Sequence, residues 1–520
     1  MKQLSALDAM FAYTETANTP MHIGQLLIYD PSTAPGGHVG FKDILGYIKG
    51  RLDGARIFRQ KLVRVPLDLD HPYWVEDKDF DIEFHVRHIA LPKPGDWRQL
   101  CIQAARIYAR PLDMTKPLWE FTVIEGLDNV EGVPKGSFAL VHKMHHAAID
   151  GKSGLEMTLA LHDIDAQMRP RDFGRSWEPE DAPNALGLLA KAQFNNVANP
   201  VRGLQNLQKL VPMPKRLLDV RKEFAQRSDA KTSIPKTRFN KKLSPHRVFD
   251  GREFALSDIK KIREGFPGAT VNDVMIAVTS GALRGYLLSK DDLPDKTLKI
   301  GAPVSVRSDD EKSSAGNQVT MMTVGVGTHL ADAGERLKFI MDETQRSKAM
   351  TEAIGAKTLM EVSGAMPAGL TAAGTKMMVR MGLVETLNPA INTVVSNVPG
   401  PMVPMYFAGA EMVKGFGMGI LAEGQGLFHV VTSYNGNVIL SFLGDRELLP
   451  DPDNYATCIS RSFADLMAAA VDARKGDKKK AQKKAGKKTA AKKSAAKKPK
   501  KRVRSSAATA GRVRRKAAAK

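Results

Sequence analysis

His145-His146-Ala147-Ala148-Ile149-Asp150-Gly151 gathers, within seven positions of a 520-residue chain, residue types that can move a proton. A neutral imidazole has its ordinary pKa near 6.5, so at neutral pH a histidine is available to take a proton from a hydroxyl. A positioned general base of this kind contributes roughly 10²–10⁴-fold to a rate. Neighbouring residues on an extended chain point in opposite directions, so one histidine of the pair at most faces a given pocket. Asp150, in a tight Asp-Gly turn, is better suited to pairing with an arginine, for which Arg307 is a candidate, than to accepting a proton. Gly151 supplies backbone that can take positive φ.

Other chemistries fit less well. A zinc site built on His145 or His146 with Asp150 lacks the helical His-Glu-x-x-His spacing and a third ligand nearby. A nucleophilic triad needs an exposed serine on a sharp elbow, and no Gly-x-Ser-x-Gly occurs; Gly151-Lys-Ser-Gly154 starts a helix instead. Two adjacent histidines alone are more often structural than catalytic, and the rest of the chain has to reverse that preference.

The elements around the pair suit a catalytic placement. Ser137–Met144 alternates, putting Phe138, Leu140, His142 and Met144 on one side of a strand. Ser153-Gly-Leu-Glu156 reads as a capping box opening a helix to about Ile164, so the histidines stand where a strand feeds a helix N-terminus. Upstream, the pattern predicts a strand at His22–Tyr29, a loop at Pro31–Gly40 and a helix over Phe41–Leu52. It continues with a half-buried strand over Asp81–Leu91 (Ile82, Phe84 and Val86 inward), a helix over Trp97–Ala109 and a strand at Phe121–Glu125.

Residues 165–245 are punctuated by prolines and read as a helical connection between lobes. Val201, Leu204, Leu207, Leu210 and Val211 share one helical face there, for core packing or contact with a membrane surface. Beyond it, 246–473 resumes the α/β texture. Helices are expected over Ala269–Leu288, Ala331–Met350 and Asp453–Val471, and strands over Lys299–Val306 and Asn392–Ser396. A hairpin over Val430–Leu443 turns at Asn435-Gly436.

Charge separates the last segment from everything before it. Of 77 Lys and Arg and 56 Asp and Glu, 22 bases and the single acid Asp477 fall in 474–520, leaving 55 of each sign in 1–473. The body is therefore neutral, which excludes reading the whole chain as a basic nucleic-acid binder. The Lys/Ala-rich segment 474–520 is disordered by composition and should bind polyanions, either DNA or an anionic membrane, without sequence preference. Two cysteines, Cys101 and Cys458, are too few for a disulfide framework and point to a reducing compartment. No signal peptide and no apolar run near 18 residues is visible, so a cytoplasmic protein, soluble or peripheral, is expected.

Read together, these segments resemble a known family. His145-His146-x-x-x-Asp150-Gly151 is similar to the signature of CoA-dependent acyltransferases with the chloramphenicol-acetyltransferase and condensation-domain fold. The chain more narrowly resembles the bacterial wax ester synthase/acyl-CoA:diacylglycerol acyltransferase family. The residues carrying this are Leu4-Ser-Ala-Leu-Asp8-Ala-Met-Phe11, Asn18-Thr-Pro20-Met21-His22, Arg59-Gln-Lys-Leu-Val63, Phe80-Asp-Ile-Glu-Phe-His85-Val86, Arg110-Pro-Leu-Asp113 and Pro117-Leu118-Trp119. In the second half they are Val271-Asn272-Asp273-Val274 and Ser396-Asn397-Val398-Pro-Gly-Pro401. The resemblance covers about 4 to 470 and omits the basic segment.

What it implies is a two-lobed α/β fold, lobes at 1–164 and 246–473, with the active site in a tunnel between them. His146 is then the general base, acting on diacylglycerol or a long-chain alcohol, whose oxygen attacks acyl-CoA directly without a covalent intermediate. Acyl-CoA is a co-substrate, and neither a cofactor nor a metal is implied. His145 and Asp150 support the motif, and Gly151 is a backbone requirement. Pro117, Leu118 and Trp119 line or pack the acyl tunnel, Asn397 borders it, and Asn272 and Asp273 contact the site or cap a helix. A membrane or lipid-droplet location follows from the substrates. Two alternatives stay open: another hydroxyl or amine acceptor, and a binding protein tethered to DNA or membrane through its basic segment.

Overall fold

The computed structural model describes residues 1–149, 157–174, 179, 181, 183–195, 234–305, 319–354 and 391–495. The first of two units, Met1–Ala470, is built on two six-stranded sheets and one of three strands. One large sheet runs, edge to edge, through Tyr406–Phe407, Ala410–Met418, His22–Asp30, Phe138–His145, Trp119–Glu125 and Val86–Ala90. Its first two strands come from the C-terminal half of the chain, so the sheet that carries the histidines is completed by residues far beyond 164.

Phe138–His145 lies between His22–Asp30 and Trp119–Glu125, antiparallel to both, and all eight of its residues are buried. Phe138, Leu140 and Met144 join a core with Trp119, Phe121 and Phe58. The alternate residues face the other way and include Lys143, fully buried. Its Nζ donates to the carbonyls of Ile107 and Arg110, both at 3.1 Å, and lies 3.1 Å from the Glu120 carboxylate. A buried ammonium is tolerable only with such partners. Gly24, beside His142 in the next strand, is required by close approach: a Cβ there would sit 2.4 Å from the His142 carbonyl and 3.1 Å from the Tyr108 ring.

The second large sheet runs Val319–Gly325, Lys299–Ser305, Thr393–Val398, Leu427–Tyr434, Asn437–Asp445, Arg247–Ala255. Thr393–Val398 is parallel to both of its neighbours, and the other pairs are antiparallel. The expected hairpin turns where Asn435 (φ 43°) and Gly436 (φ 86°) supply the two positive-φ residues of a type I′ turn. The helices Val271–Leu288 and Ala333–Ile354 pack on one another, and the second also meets Val319–Gly325.

Two elements differ from the sequence pattern. Asp81–Leu91 is not one strand: the Asp81 carboxylate accepts from the Glu83 amide, caps a single turn Ile82–His85, and the strand is Val86–Ala90. Apolar residues at 82, 84 and 86 fit either geometry, and the cap decides. The closing helix, expected to end near Val471, runs as Pro452–Ala495 and takes in the start of the Lys/Ala-rich segment. Lysine and alanine are strong helix formers, and no proline intervenes before Pro499. The amphipathic stretch Val201–Val211, the capping box at Ser153–Glu156 and Arg307 lie outside the described residues. Among the described residues no helix is long and apolar enough to cross a membrane.

Candidate active site

The strand Phe138–His145 ends by passing His146 into a short 3-10 turn, His146–Ala148. His145, fully buried, caps this turn: its Nδ1 accepts the Ala147 amide at 3.1 Å. An amide can only donate, so Nδ1 carries no proton and Nε2 does. Nε2 then donates to the Glu15 carboxylate at 2.6 Å. The same Glu15 oxygen accepts the Met21 amide at 3.2 Å, and the Met21 carbonyl accepts the His146 amide at 2.8 Å. One carboxylate thus holds both the capping histidine and the backbone against which His146 is hung.

His146 itself is half-buried, its ring stacked on Phe11 at 3.9 Å and 18°. Its Nδ1 is buried with no hydrogen-bond partner among the described residues. Burial is the main cause that holds its pKa down to about 4, and the neighbouring His145 pushes the same way. The pair is therefore divided: His145 has both nitrogens engaged, and His146 keeps one uncommitted.

The segment 15–22 is in turn fixed from several sides. His22, fully buried, donates from Nε2 to the Tyr108 carbonyl at 2.7 Å, and the Tyr108 hydroxyl returns to the His22 carbonyl at 2.6 Å. Asn18 donates to the Leu243 carbonyl at 3.3 Å and receives a short hydrogen bond from Arg247 on its own carbonyl. Arg247 also lies 3.5 Å from Asp445 of the second sheet. The loop that positions the histidines is therefore tied to both sheets. Further along the chain, Arg51 holds the helix over 157–161, donating to the Ala160 carbonyl at 3.1 Å and to Asp163 at 2.6 Å.

Comparison with known proteins identifies the family. The sequence model of the wax ester synthase/diacylglycerol acyltransferase catalytic domain matches residues 4–275, and that of the family's C-terminal domain matches 315–467. A Mycobacterium tuberculosis protein named as a diacylglycerol O-acyltransferase is 32% identical over 485 residues, 92% of either chain. The O-acyltransferase WSD of Acinetobacter baylyi is 31% identical over 467 residues, 88% of this chain and 95% of that one. The chain belongs to the wax ester synthase/diacylglycerol acyltransferase family. Among solved structures, the wax ester synthase/diacylglycerol acyltransferase of Marinobacter aquaeolei superposes with a TM-score of 0.63 at 25% identity, covering 90% of this chain and all of that one. The first condensation domain of the calcium-dependent antibiotic synthetase shares the two-lobed fold at a TM-score of 0.52 and 15% identity.

The other family motifs fall into two groups in this wax ester synthase/diacylglycerol acyltransferase chain. Pro117, Leu118 and Trp119 are buried beside the histidines, and the Leu118 carbonyl accepts the His145 amide at 3.0 Å. Trp119 donates to the Phe58 carbonyl at 3.1 Å and stacks on His85 at 4.5 Å, so it is core packing. Asn272, Asp273 and Asn397 form a second group. Asp273 is spent on capping its helix with Thr270 and on accepting from Thr344 at 2.8 Å. Asn272 and Asn397 meet weakly at 3.5 Å, Asn397 being exposed at the end of its strand. No hydrogen bond or ring contact joins the two groups among the described residues. Asp150 and Gly151 lie outside those residues.

Glu15 was not singled out from the sequence. It stands 130 residues from His145, between the Ala6–Thr14 helix and the Asn18–His22 motif, and no local pattern marks it. Only the pairing of His22 opposite His145 brings it there. Among the described residues no three His, Cys, Asp or Glu side chains gather as metal ligands.

Proposed function

We propose that this chain transfers a long-chain acyl group from acyl-CoA to the hydroxyl of diacylglycerol, giving triacylglycerol, or of a long-chain alcohol, giving a wax ester. The observation that carries the residue assignment is the division of labour in the pair. His145 is committed through both nitrogens, whereas His146 is neutral at pH 7 and keeps a nitrogen without a partner among the described residues.

In this reading His146 accepts the acceptor's hydroxyl proton as the oxygen attacks the thioester carbonyl. A base whose pKa is held near 4 does not deprotonate an alcohol outright, so proton transfer accompanies formation of the carbon–oxygen bond. The carbon–sulfur bond then breaks, and the thiolate of CoA leaves with the proton returned by the imidazolium. Acyl-CoA and the alcohol balance the reaction, and no cofactor enters it. The sequence motif assigns Asp150 and Gly151 a supporting part, and the apolar Pro117–Trp119 segment lies beside the histidines, the Leu118 carbonyl accepting the His145 amide. Asn272 and Asn397 border the tunnel between lobes.

Both acceptors partition into lipid, which places the enzyme at the inner membrane face or on lipid droplets, in the cytoplasm. Exposed apolar side chains suit that location. Leu67 is 89% exposed on the Pro66–Asp68 turn, and Leu186 and Phe194 are 76% and 77% exposed on the helix over 185–195. The turn and the helix share the small core of Val65, Leu188 and Ala192.

The test is acyl transfer by the purified chain and by His146→Ala, with long-chain acyl-CoA offered to diacylglycerol and to a long-chain alcohol in parallel. Loss of about 10²–10⁴-fold in kcat with unaltered folding is expected for the variant. A variant as active as the parent removes His146 as the base.

A further inference from the structure

We propose that the basic end of the helix Pro452–Ala495 binds double-stranded nucleic acid through its phosphates, without sequence preference. The segment lies beyond the family's C-terminal domain, which ends at 467, so acyl transfer does not account for it. The 22 bases and single acid of 474–520 stand against a body of zero net charge.

Spacing gives the charge a shape. Lysine pairs recur every four residues at 479–480, 483–484 and 487–488, within the helix. At about 100° per residue these six positions fall within one half of the helix circumference, over about 14 Å of its length, and Arg474, Lys475, Lys478, Lys492 and Lys493 fall on the other half, so that bases are distributed all round the helix. A duplex carries one phosphate charge per about 1.7 Å of axis, so that length of DNA presents about eight charges to the six lysines. The positions between the pairs are Ala481, Gln482, Ala485 and Gly486, small enough for close approach to a groove.

Composition separates the partner classes. Single-stranded nucleic acid is held by stacking on aromatic rings, and 474–520 contains none. A helix lying in a membrane surface needs bulky apolar residues opposite its basic face, and residues 472–502 contain no Val, Leu, Ile, Met, Phe, Tyr or Trp. Base reading uses a varied set of Arg, Lys, Asn and Gln at base edges, and between 478 and 495 only repeated lysines and the single Gln482 are present. What remains is attraction to phosphate charge, and a duplex, with one charge per about 1.7 Å of axis and a condensed counterion shell to release, is favoured here over the anionic membrane surface against which it is tested below.

The experiment measures binding of the full chain to two duplexes of unrelated sequence, and to vesicles containing phosphatidylglycerol, across a salt series. Comparison variants are a chain ending at 473 and one with Lys→Gln at 479, 480, 483, 484, 487 and 488. The full chain should bind both duplexes alike and lose about 10³-fold in affinity between about 50 and 200 mM salt, as expected for six neutralised phosphates. Truncation should abolish binding, and the six-fold Lys→Gln variant should flatten the salt dependence while leaving acyl transfer unchanged. Duplex affinity that survives truncation overturns the proposal. So does tighter binding to the vesicles than to the duplexes at equal salt, which would make the segment a membrane tether.

Discussion

The residue on which the site turns is one that no motif contains. Glu15 accepts from His145 and from Met21 with the same oxygen, and through Met21 it fixes the amide of His146. Glu15→Gln keeps an acceptor but gives up the charge-assisted bond, and a loss of about tenfold in kcat with KM unchanged is expected. Glu15→Ala leaves a buried N–H on His145 and another on Met21 without a partner, at about 1–3 kcal/mol each, so its kcat should fall about 10²-fold or more. Wild-type kcat in the alanine variant would show that Glu15 does not position the base. The same geometry sets a pH dependence. With His146 as the proposed base, working in its neutral form with its pKa lowered by burial to about 4, activity should persist as pH falls through 6.5 and decline only toward about 4. An acid limb of kcat/KM centred at 6.5 or above would contradict that environment. His146 could be proposed from the sequence because the motif that suggests it is local. Glu15 could not, because its role arises from a strand pairing between residues more than a hundred positions apart.

Strand packing is what brings these residues together. Most strands and helices could be read from periodicity, capping and turn residues, since each signal is local: the Asn435-Gly436 hairpin and the Thr270-capped helix are two such cases. Sheet order was not legible. That Ala410–Met418 adds to His22–Asp30 depends on a partner from the other half of the chain. Gly24 tests how tightly the central pair is packed. A methyl there would meet the His142 carbonyl backbone, which cannot step aside, so Gly24→Ala should cost about 1–3 kcal/mol in stability and also lower kcat by moving His22 against His145. Unchanged urea midpoint and activity would mean that the two strands slide apart freely.

At the scale of the whole molecule, buried neutral histidines couple the fold to pH. Burial holds His142 down to about 3 and His162 and His429 to about 4, while His22 is pushed well below its ordinary value. An unfolded chain protonates these imidazoles near 6.5, so between that pH and their lowered folded-state values it holds more protons on them than the folded chain does. The stability these groups contribute is fully present above about 6.5 and is lost as pH falls toward 4, by about 1.4 kcal/mol per pH unit for each imidazole. His429 offers the cleanest check because it lies in the second sheet, bonded to the Tyr455 hydroxyl at 2.7 Å and to Thr393 at 3.3 Å, away from the catalytic pair. His429→Gln keeps a donor and an acceptor but does not titrate. Its stability should be lower than the parent's at pH 8 and should fall less steeply between about 6.5 and 5, by one imidazole's share. Unfolding curves that run parallel to the parent's across that range would show that His429 is already protonated, or solvated, in the folded chain. The acid limb of activity is then separable from loss of the fold, since a variant with a flatter stability profile should hold its kcat to lower pH only if unfolding, rather than titration of His146, ends the parent's activity.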